Sequence, residues 1–361
     1  MVMAQTARPT QRVDGIAVWG KPARLGFGAG DGGSRVEKRM LGSTGLAIAP
    51  VVFGGNVLGW TMDEAQSFAV LDAFVDHGFN AIDTADVYSS WAPGNRGGES
   101  ETIIGRWLKA RPGMRDRVVI FTKVGSDMGK PGQKGLGAGW IADAVNHSLQ
   151  RLQIDEIDLY FAHWPDPATP QAETLAAFDR LVRAGKVRAI GASNLDAGQL
   201  AAARDAALQA GVSPYQVLQP EYNLIERSGF EGALADFCDA EGVGVVTYYS
   251  LASGFLTGKY RSAADKGQSV RGGGMAKYLT PRGFRVLDAL DAVGARHGAR
   301  PAEVALAWLA AQRAVTAPIA SATSVTQVAS FARAMELTLS ADDLALLARA
   351  SAGNGAQGGS D

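Results

Sequence analysis

Three short stretches of this chain end in side chains able to move a proton. Asp83-Thr-Ala-Asp86-Val-Tyr88 places carboxylates and a phenol close together, Lys123 closes the run 118–123, and His163 follows the run 157–162. An ammonium beside a phenol favours the phenolate and draws the phenol's pKa down towards the working range. A carboxylate keeps that ammonium charged and aimed. An imidazole nearby can donate a hydrogen bond to an oxygen that is gaining negative charge. The chemistry these types share is proton transfer to or from a carbonyl oxygen: Tyr88 delivers the proton, Lys123 tunes it, Asp83 orients Lys123, and His163 polarises the carbonyl. Taken singly, a buried Asp–Lys pair is commonly structural, and a Tyr or His at a strand end is commonly just packed. The functional reading rests on their coincidence at three consecutive strand ends.

Elements able to position them recur along the chain. Eight short apolar or β-branched runs, at 51–53, 80–83, 118–123, 157–162, 187–192, 217–221, 243–247 and 316–321, alternate with amphipathic stretches. That alternation is the mark of repeated βα units around a parallel sheet. Helices are expected at about 99–110, 140–152, 170–185, 196–210, 229–241, 282–297 and 302–312, with capping signals at Thr61-Met-Asp-Glu64, Ser324-Val-Thr-Gln327 and Ser340-Ala-Asp-Asp343. Before the first run, Lys38-Arg-Met-Leu-Gly-Ser-Thr-Gly-Leu-Ala-Ile48 reads as a hairpin able to plug the bottom of a barrel. The expected fold is therefore α/β, a (β/α)8 TIM barrel with an N-terminal β-hairpin and two extra helices, one between the seventh and eighth strands and one at the C-terminal end. In such a barrel, reactive groups gather at the C-terminal ends of the strands. Residues 37–352 form the single domain in this reading, 1–36 a mobile extension without helical or strand periodicity, and 353–361 a flexible tail.

Composition narrows the partners. Of 361 residues, 47% are hydrophobic and 20% charged, enough for one large core. With 35 basic and 36 acidic side chains the formal charge is -1, so nothing electrostatic points to nucleic acid or an anionic membrane. A small-molecule substrate is expected. The single cysteine, Cys238, excludes an intramolecular disulfide and a cysteine-based metal cage, and no His-x-x-x-His spacing suggests a metal. No apolar run reaches the length of a membrane span, and the first thirty residues lack a secretory apolar stretch, so a cytoplasmic location is expected.

Longer motifs surround the proton-moving groups. Gly-Phe-Asn-Ala-Ile-Asp83-Thr-Ala-Asp-Val-Tyr88, Ile-Asp-Leu-Tyr-Phe-Ala-His163-Trp-Pro-Asp-Pro, Val-Arg-Ala-Ile-Gly-Ala-Ser193-Asn194 and Leu-Ala-Ser-Gly-Phe-Leu-Thr-Gly-Lys-Tyr resemble those of the aldo-keto reductase family, in order and spacing, from about Lys38 to Ser351. The resemblance implies hydride transfer between NAD(P)(H) and an aldehyde, ketone or the corresponding alcohol, with Asp83, Tyr88, Lys123 and His163 as the catalytic tetrad. It further implies that Ser193, Asn194 and Gln219 bind the nicotinamide carboxamide and that Tyr248 stacks on the ring. Gly55, Asn56 and Asp83 would line that region, with Leu251 to Lys259 along the pyrophosphate.

After the eighth run, the helix start at Ser324 offers N–H groups to phosphate. Here the sequence departs from a common family pattern: Gln327 stands where many relatives carry an Arg for a 2′-phosphate, and Ser321 where a Lys is frequent. NADP(H) is expected from family habit, with NAD(H) as the alternative, and Ser321, Ser324 and Gln327 as hydrogen-bonding groups. Trp60, Trp91 and Trp164, with Tyr88 and His163, would wall the substrate pocket; barrel-rim packing is their ordinary alternative.

Two glycine-rich segments are set aside. The run 28–33 matches G-x-G-x-x-G without a strand before or a helix after it, and Gly254-Phe-Leu-Thr-Gly-Lys-Tyr is too short for a nucleoside triphosphate loop and lacks its Ser or Thr. Two other functions compete: a redox-sensing regulatory subunit of the same fold with little turnover, and a barrel isomerase or lyase using Lys123 as a Schiff base.

Overall fold

The computed structural model describes residues 36–353 and, ahead of them, the backbone of two short antiparallel strands, β1 (Gln11–Val13) and β2 (Ile16–Val18). The extension expected over 1–36 did not include that pair. The glycine run 28–33 and the tail beyond residue 353 lie outside the described residues.

Two further strands, β3 (Arg39–Met40) and β4 (Ala47–Ile48), form the expected hairpin. Its tip is pressed onto the barrel floor. Gly42 has φ +53°, and a β-carbon there would lie 2.5 Å from Gln216 O and from Gly244 N, so only glycine fits. Leu41, Leu46 and Ile48 join the cluster that fills the barrel interior.

Eight parallel strands close that barrel: β5 (Val52–Gly54), β6 (Ala81–Asp83), β7 (Val119–Val124), β8 (Ile157–Ala162), β9 (Val187–Ser193), β10 (Val217–Gln219), β11 (Gly244–Thr247) and β12 (Ala317–Ala320), with β12 pairing back to β5. Every expected run is a barrel strand. Because successive side chains on a strand point to opposite faces, Val52, Ala81, Phe121, Phe161, Ala189, Val217, Val246 and Ile319 pack inward, while Phe53, Ile82, Ile120, Tyr160, Ile190, Leu218 and Val245 pack outward under the helices. The interior is tight. A β-carbon on Gly191 would fall 2.5 Å from the Phe161 ring.

The outer layer comprises α1 (Glu64–Asp76), α2 (Glu99–Ala110), α3 (Ala138–Leu152), α4 (Gln171–Arg183), α5 (Ala197–Ala210), α6 (Ala233–Ala240), α7 (Pro281–His297), α8 (Pro301–Ala310), α9 (Val325–Glu336) and α10 (Ala341–Ser351). Helices α7 and α8 both lie between β11 and β12, and α10 packs on α7, so both extra helices are present. Among the described residues, no helix is long and apolar enough to cross a membrane.

Three cap expectations change. Asp63, not Thr61, caps α1: its carboxylate accepts from Gln66 N while Gln66 Oε1 accepts from Asp63 N. Ser324 caps α9 through Gln327 N, but the Gln327 side chain turns to Thr323 N, so the reciprocal half of the box is missing. The looser Ser340–Asp343 pair, by contrast, forms a complete box. The stretch 260–281 contains 3-10 turns at Ala263–Gln268 and Gly272–Tyr278.

Candidate active site

The inward alternation continues one step beyond the apolar layer. Two residues past Ala81, Phe121, Phe161 and Val246 come Asp83, Lys123, His163 and Tyr248, and Gln219 follows Val217 in the same way; these polar groups ring the C-terminal mouth of the barrel. Tyr88 reaches the same mouth from the turns after β6, where Tyr88 N donates to Ala85 O.

Lys123 Nζ, fully buried, lies 2.7 and 2.6 Å from the two Asp83 carboxylate oxygens, 2.7 Å from Thr84 O and 3.0 Å from the Tyr88 hydroxyl. An ammonium has three hydrogens, and these partners use them all. The phenol oxygen therefore accepts from Lys123. Its own hydrogen faces only a long 3.4 Å approach to Asp83 Oδ2, so it is available to another acceptor. Gln219 Nε2 donates to Asp83 Oδ1 at 3.0 Å and holds the carboxylate from across the barrel.

The electrostatics correct one sequence expectation. Burial, followed by the Asp83 carboxylate, pushes the Tyr88 phenol well above its ordinary pKa instead of drawing it down. Burial also lowers Lys123, with Asp83 opposing that shift. For Tyr88, burial is the main reason, and Asp83, which is ion-paired to the same ammonium that was expected to act on the phenol, adds to it. Tyr88 therefore keeps its hydrogen at neutral pH.

His163 is pushed well below its ordinary pKa by burial and then by the charge of Lys123, so its ring is neutral. Ser126 Oγ stands 3.0 Å from His163 Nδ1. With the hydroxyl donating, Nε2 keeps the ring hydrogen and can offer it to a substrate oxygen. Ser126 was not singled out in the sequence; a serine in a Gly-rich loop carries no periodic signal.

A single cleft of about 1030 Å³ runs from these groups to the start of α9. Asp83, Tyr88, His163, Trp60, Trp91 and Trp164 line it, as do Asn56, Ser193, Asn194, Gln219, Tyr248, Leu251, Lys259, Ser321 and Gln327. Lys123 stands behind Tyr88, its Nζ 4.6 Å from the ring centroid. Gly55 and Ser324 do not line the cleft; Gly54 does, while Gly55 is packed under Asp83 O and Ser324 is occupied in capping α9. Asn194 Nδ2 donates to His163 O and to Ser193 Oγ, and Tyr248 OH donates to Asn194 Oδ1 at 2.7 Å, so the polar floor is one connected network. Trp60 and Trp91 meet edge to face, with ring centroids 5.7 Å apart, and Trp164 stacks on His163.

Arg271 was not singled out in the sequence either. Carried between the 3-10 turns, it lines the cleft with its guanidinium 5.2 Å from the Trp60 ring and 3.3 Å from Asn56 Oδ1. It has no carboxylate partner among the described residues. Asn194, Tyr249, Ala252 and Ser253, all beside the cleft, have φ of 62°, 51°, 47° and 56°, a cluster of left-handed backbone at the site.

A barrel with these groups at its mouth matches the sequence model of the aldo/keto reductase family over residues 50–352. The chain belongs to this family. It is 31% identical to an aldo-keto reductase of Fusarium vanettenii, over 86% of this chain and 90% of that protein. It is 33% identical to the uncharacterised oxidoreductase YrpG of Bacillus subtilis, over 86% and 95%. It is also 30% identical to a probable voltage-gated potassium channel subunit beta of Arabidopsis thaliana, over 84% and 92%. Membership makes the protein an oxidoreductase of a family that generally uses NAD(P)H and acts on small carbonyl compounds.

Proposed function

We propose that this aldo/keto reductase transfers a hydride between NAD(P)(H) and a small aldehyde, ketone or corresponding alcohol, with Tyr88 as general acid and base. The observation that carries the reading is the Lys123 Nζ contact to the Tyr88 hydroxyl at 3.0 Å, which leaves the phenol's hydrogen free at the cleft. His163 Nε2–H and Tyr88 O–H converge on one carbonyl oxygen. As its C=O π bond opens, a C–H bond forms from the hydride and an O–H bond from the Tyr88 proton. In the alcohol direction the same groups act in reverse.

The donors along the cleft suit a dinucleotide. Ser193, Asn194 and Gln219 present amide and hydroxyl groups to a carboxamide, and Tyr248 offers a ring face. Lys259 and Arg271 supply cations for the pyrophosphate from the loop after β11. Bound there, the nicotinamide supplies or takes the hydride. At the far end Ser321, Thr323 and Gln327 offer neutral hydrogen bonds that suit either cofactor, so NADP(H) comes first by family habit and NAD(H) is the alternative. Trp60, Trp91 and Trp164 wall the substrate side and favour an apolar substrate body.

The regulatory alternative draws on the channel subunit among the relatives, and predicts cofactor binding with negligible turnover. The intact proton-moving set favours catalysis. A Schiff base at Lys123 is disfavoured because its nitrogen is buried, charged and fully hydrogen-bonded. The test is Tyr88→Phe: reduction of an aldehyde panel should fall about 10²- to 10⁴-fold while cofactor fluorescence quenching persists. Retained turnover would overturn the assignment.

A further inference from the structure

Behind the proton-moving groups, on the outer side of the barrel wall, lies a second set of ionisable residues that the reaction above does not use. Asp86 is 1% exposed, and neither of its carboxylate oxygens has a hydrogen-bond partner among the described residues. The Tyr160 hydroxyl, also fully buried, is unpartnered too. Groups acting on Asp86 come from the elements packed around it: Glu101 from α2, Arg151 from α3, Lys123 from β7 and Tyr160 from β8, with the backbone of Val87 on its own segment.

The charges in this cluster are paired except for one. Arg151 Nε binds Glu101 Oε2 at 2.6 Å, and Thr122 Oγ1 donates to Glu101 Oε1 at 2.6 Å. Lys123 binds Asp83 at 2.6 Å. Each cation thus has its own carboxylate, and Asp86 is a third carboxyl with no cation left to it. A buried, unpaired carboxylate is far less stable than the neutral acid, and a second carboxylate nearby adds to the penalty. Burial first and Glu101 second push Asp86 up to about 8.

Position gives this neutral acid a consequence. Asp86 N approaches Lys123 O, and Asp86 and Lys123 act on each other electrostatically through the wall. We propose that Asp86 is a positioning acid: it stands as a neutral carboxyl behind Lys123, and its ionisation diminishes the charge that Lys123 presents to Tyr88. In the neutral form Lys123 answers to Asp83, its direct ion-pair partner, and more weakly to Glu101. Once ionised, Asp86 adds a further anion around the same ammonium, holds the phenol proton more tightly, and slows its delivery to substrate. The inference rests on Tyr88 being the proton donor, and adds the group that sets the alkaline limit of that role.

The test follows the pH profile of carbonyl reduction in wild type, Asp86→Asn and Glu101→Gln, with Tyr88→Phe as the control. Wild type should lose kcat through an inflection near pH 8, and Asp86→Asn, which imitates the neutral acid, should retain neutral turnover and lose that inflection. Glu101→Gln removes the neighbouring anion and frees Arg151, so the inflection should move to lower pH. Independently of activity, infrared difference spectra of the protein at neutral pH should carry a protonated-carboxyl band that Asp86→Asn abolishes. An unchanged alkaline limb in Asp86→Asn, or no such band, overturns the proposal. Full turnover in Tyr88→Phe would instead overturn the underlying proton-donor reading.

Discussion

Ser126 Oγ stands 3.0 Å from His163 Nδ1, and when the hydroxyl donates in this contact the neutral imidazole carries its hydrogen on Nε2. Replacing Ser126 by Ala should lower kcat/KM for carbonyl reduction about tenfold, the worth of roughly one hydrogen bond, ~1.4 kcal/mol. Nitrogen NMR of the ring should show the two neutral tautomers mixing. If both rate and ring signal are unchanged, Ser126 does not orient His163.

The Asp83–Lys123 pair makes a stability prediction. Asp83→Asn leaves a buried ammonium without its anion, which typically costs about 3–5 kcal/mol. Asp83→Asn combined with Lys123→Met removes the orphaned charge and should recover much of that loss without restoring turnover. Denaturant unfolding and steady-state rates on the three proteins separate the two effects. A loss well under 1 kcal/mol in the single variant would show that the pair is not what holds this wall.

The proposed adenosine site has neutral groups around Gln327. Gln327→Arg should raise the preference for NADPH over NADH about tenfold, ~1.4 kcal/mol, through a charge-assisted contact with the 2′-phosphate. Added salt should erode that gain. Titrations of both cofactors check it, and an unmoved ratio means that the adenosine end binds elsewhere.

Asp86 has a signature in global stability. Its pKa is raised from 3.8 to about 8 in the folded protein, so the folded state holds the proton more tightly than the unfolded chain. The resulting stabilisation is complete below the unfolded value, falls as pH rises, and is gone once pH passes the folded value. Wild type and Asp86→Asn should therefore match in acid, diverge by up to about 1.4 kcal/mol per pH unit in favour of the variant between pH 4 and 8, and run parallel above that. Chemical denaturation across this range measures the gap. A gap that does not open in this window means that Asp86 is ionised in the fold.

Much of the architecture was legible along the chain, because it rests on local rules. Runs such as 157–162 and 187–192 are apolar on both faces apart from Asp158 and Arg188 near their starts, as expected of a strand covered outside and packed inside. The step of two residues from Phe121 to Lys123, and from Ala81 to Asp83, already puts the reactive groups on the inner face at the strand ends. The helix starts were less secure. Thr61 and Asp63 are both competent caps, and the choice fell on Asp63 because the helix begins at Glu64. Proline at 281 and 301 opens α7 and α8, one residue before the starts read from periodicity.

The sequence by itself determined the barrel, its floor hairpin, and the presence of Asp83, Tyr88, Lys123 and His163 at one rim. Only the tertiary structure decided what those groups are chemically. Tyr88 stays protonated because it is buried and beside Asp83, His163 stays neutral because it is buried and beside Lys123, and Asp86 is left without a cation because Arg151 and Lys123 are already taken. The physical reason is range. The direction of a side chain follows from its own strand's period of two, whereas proton affinity follows from charges and burial supplied by residues far away in the chain.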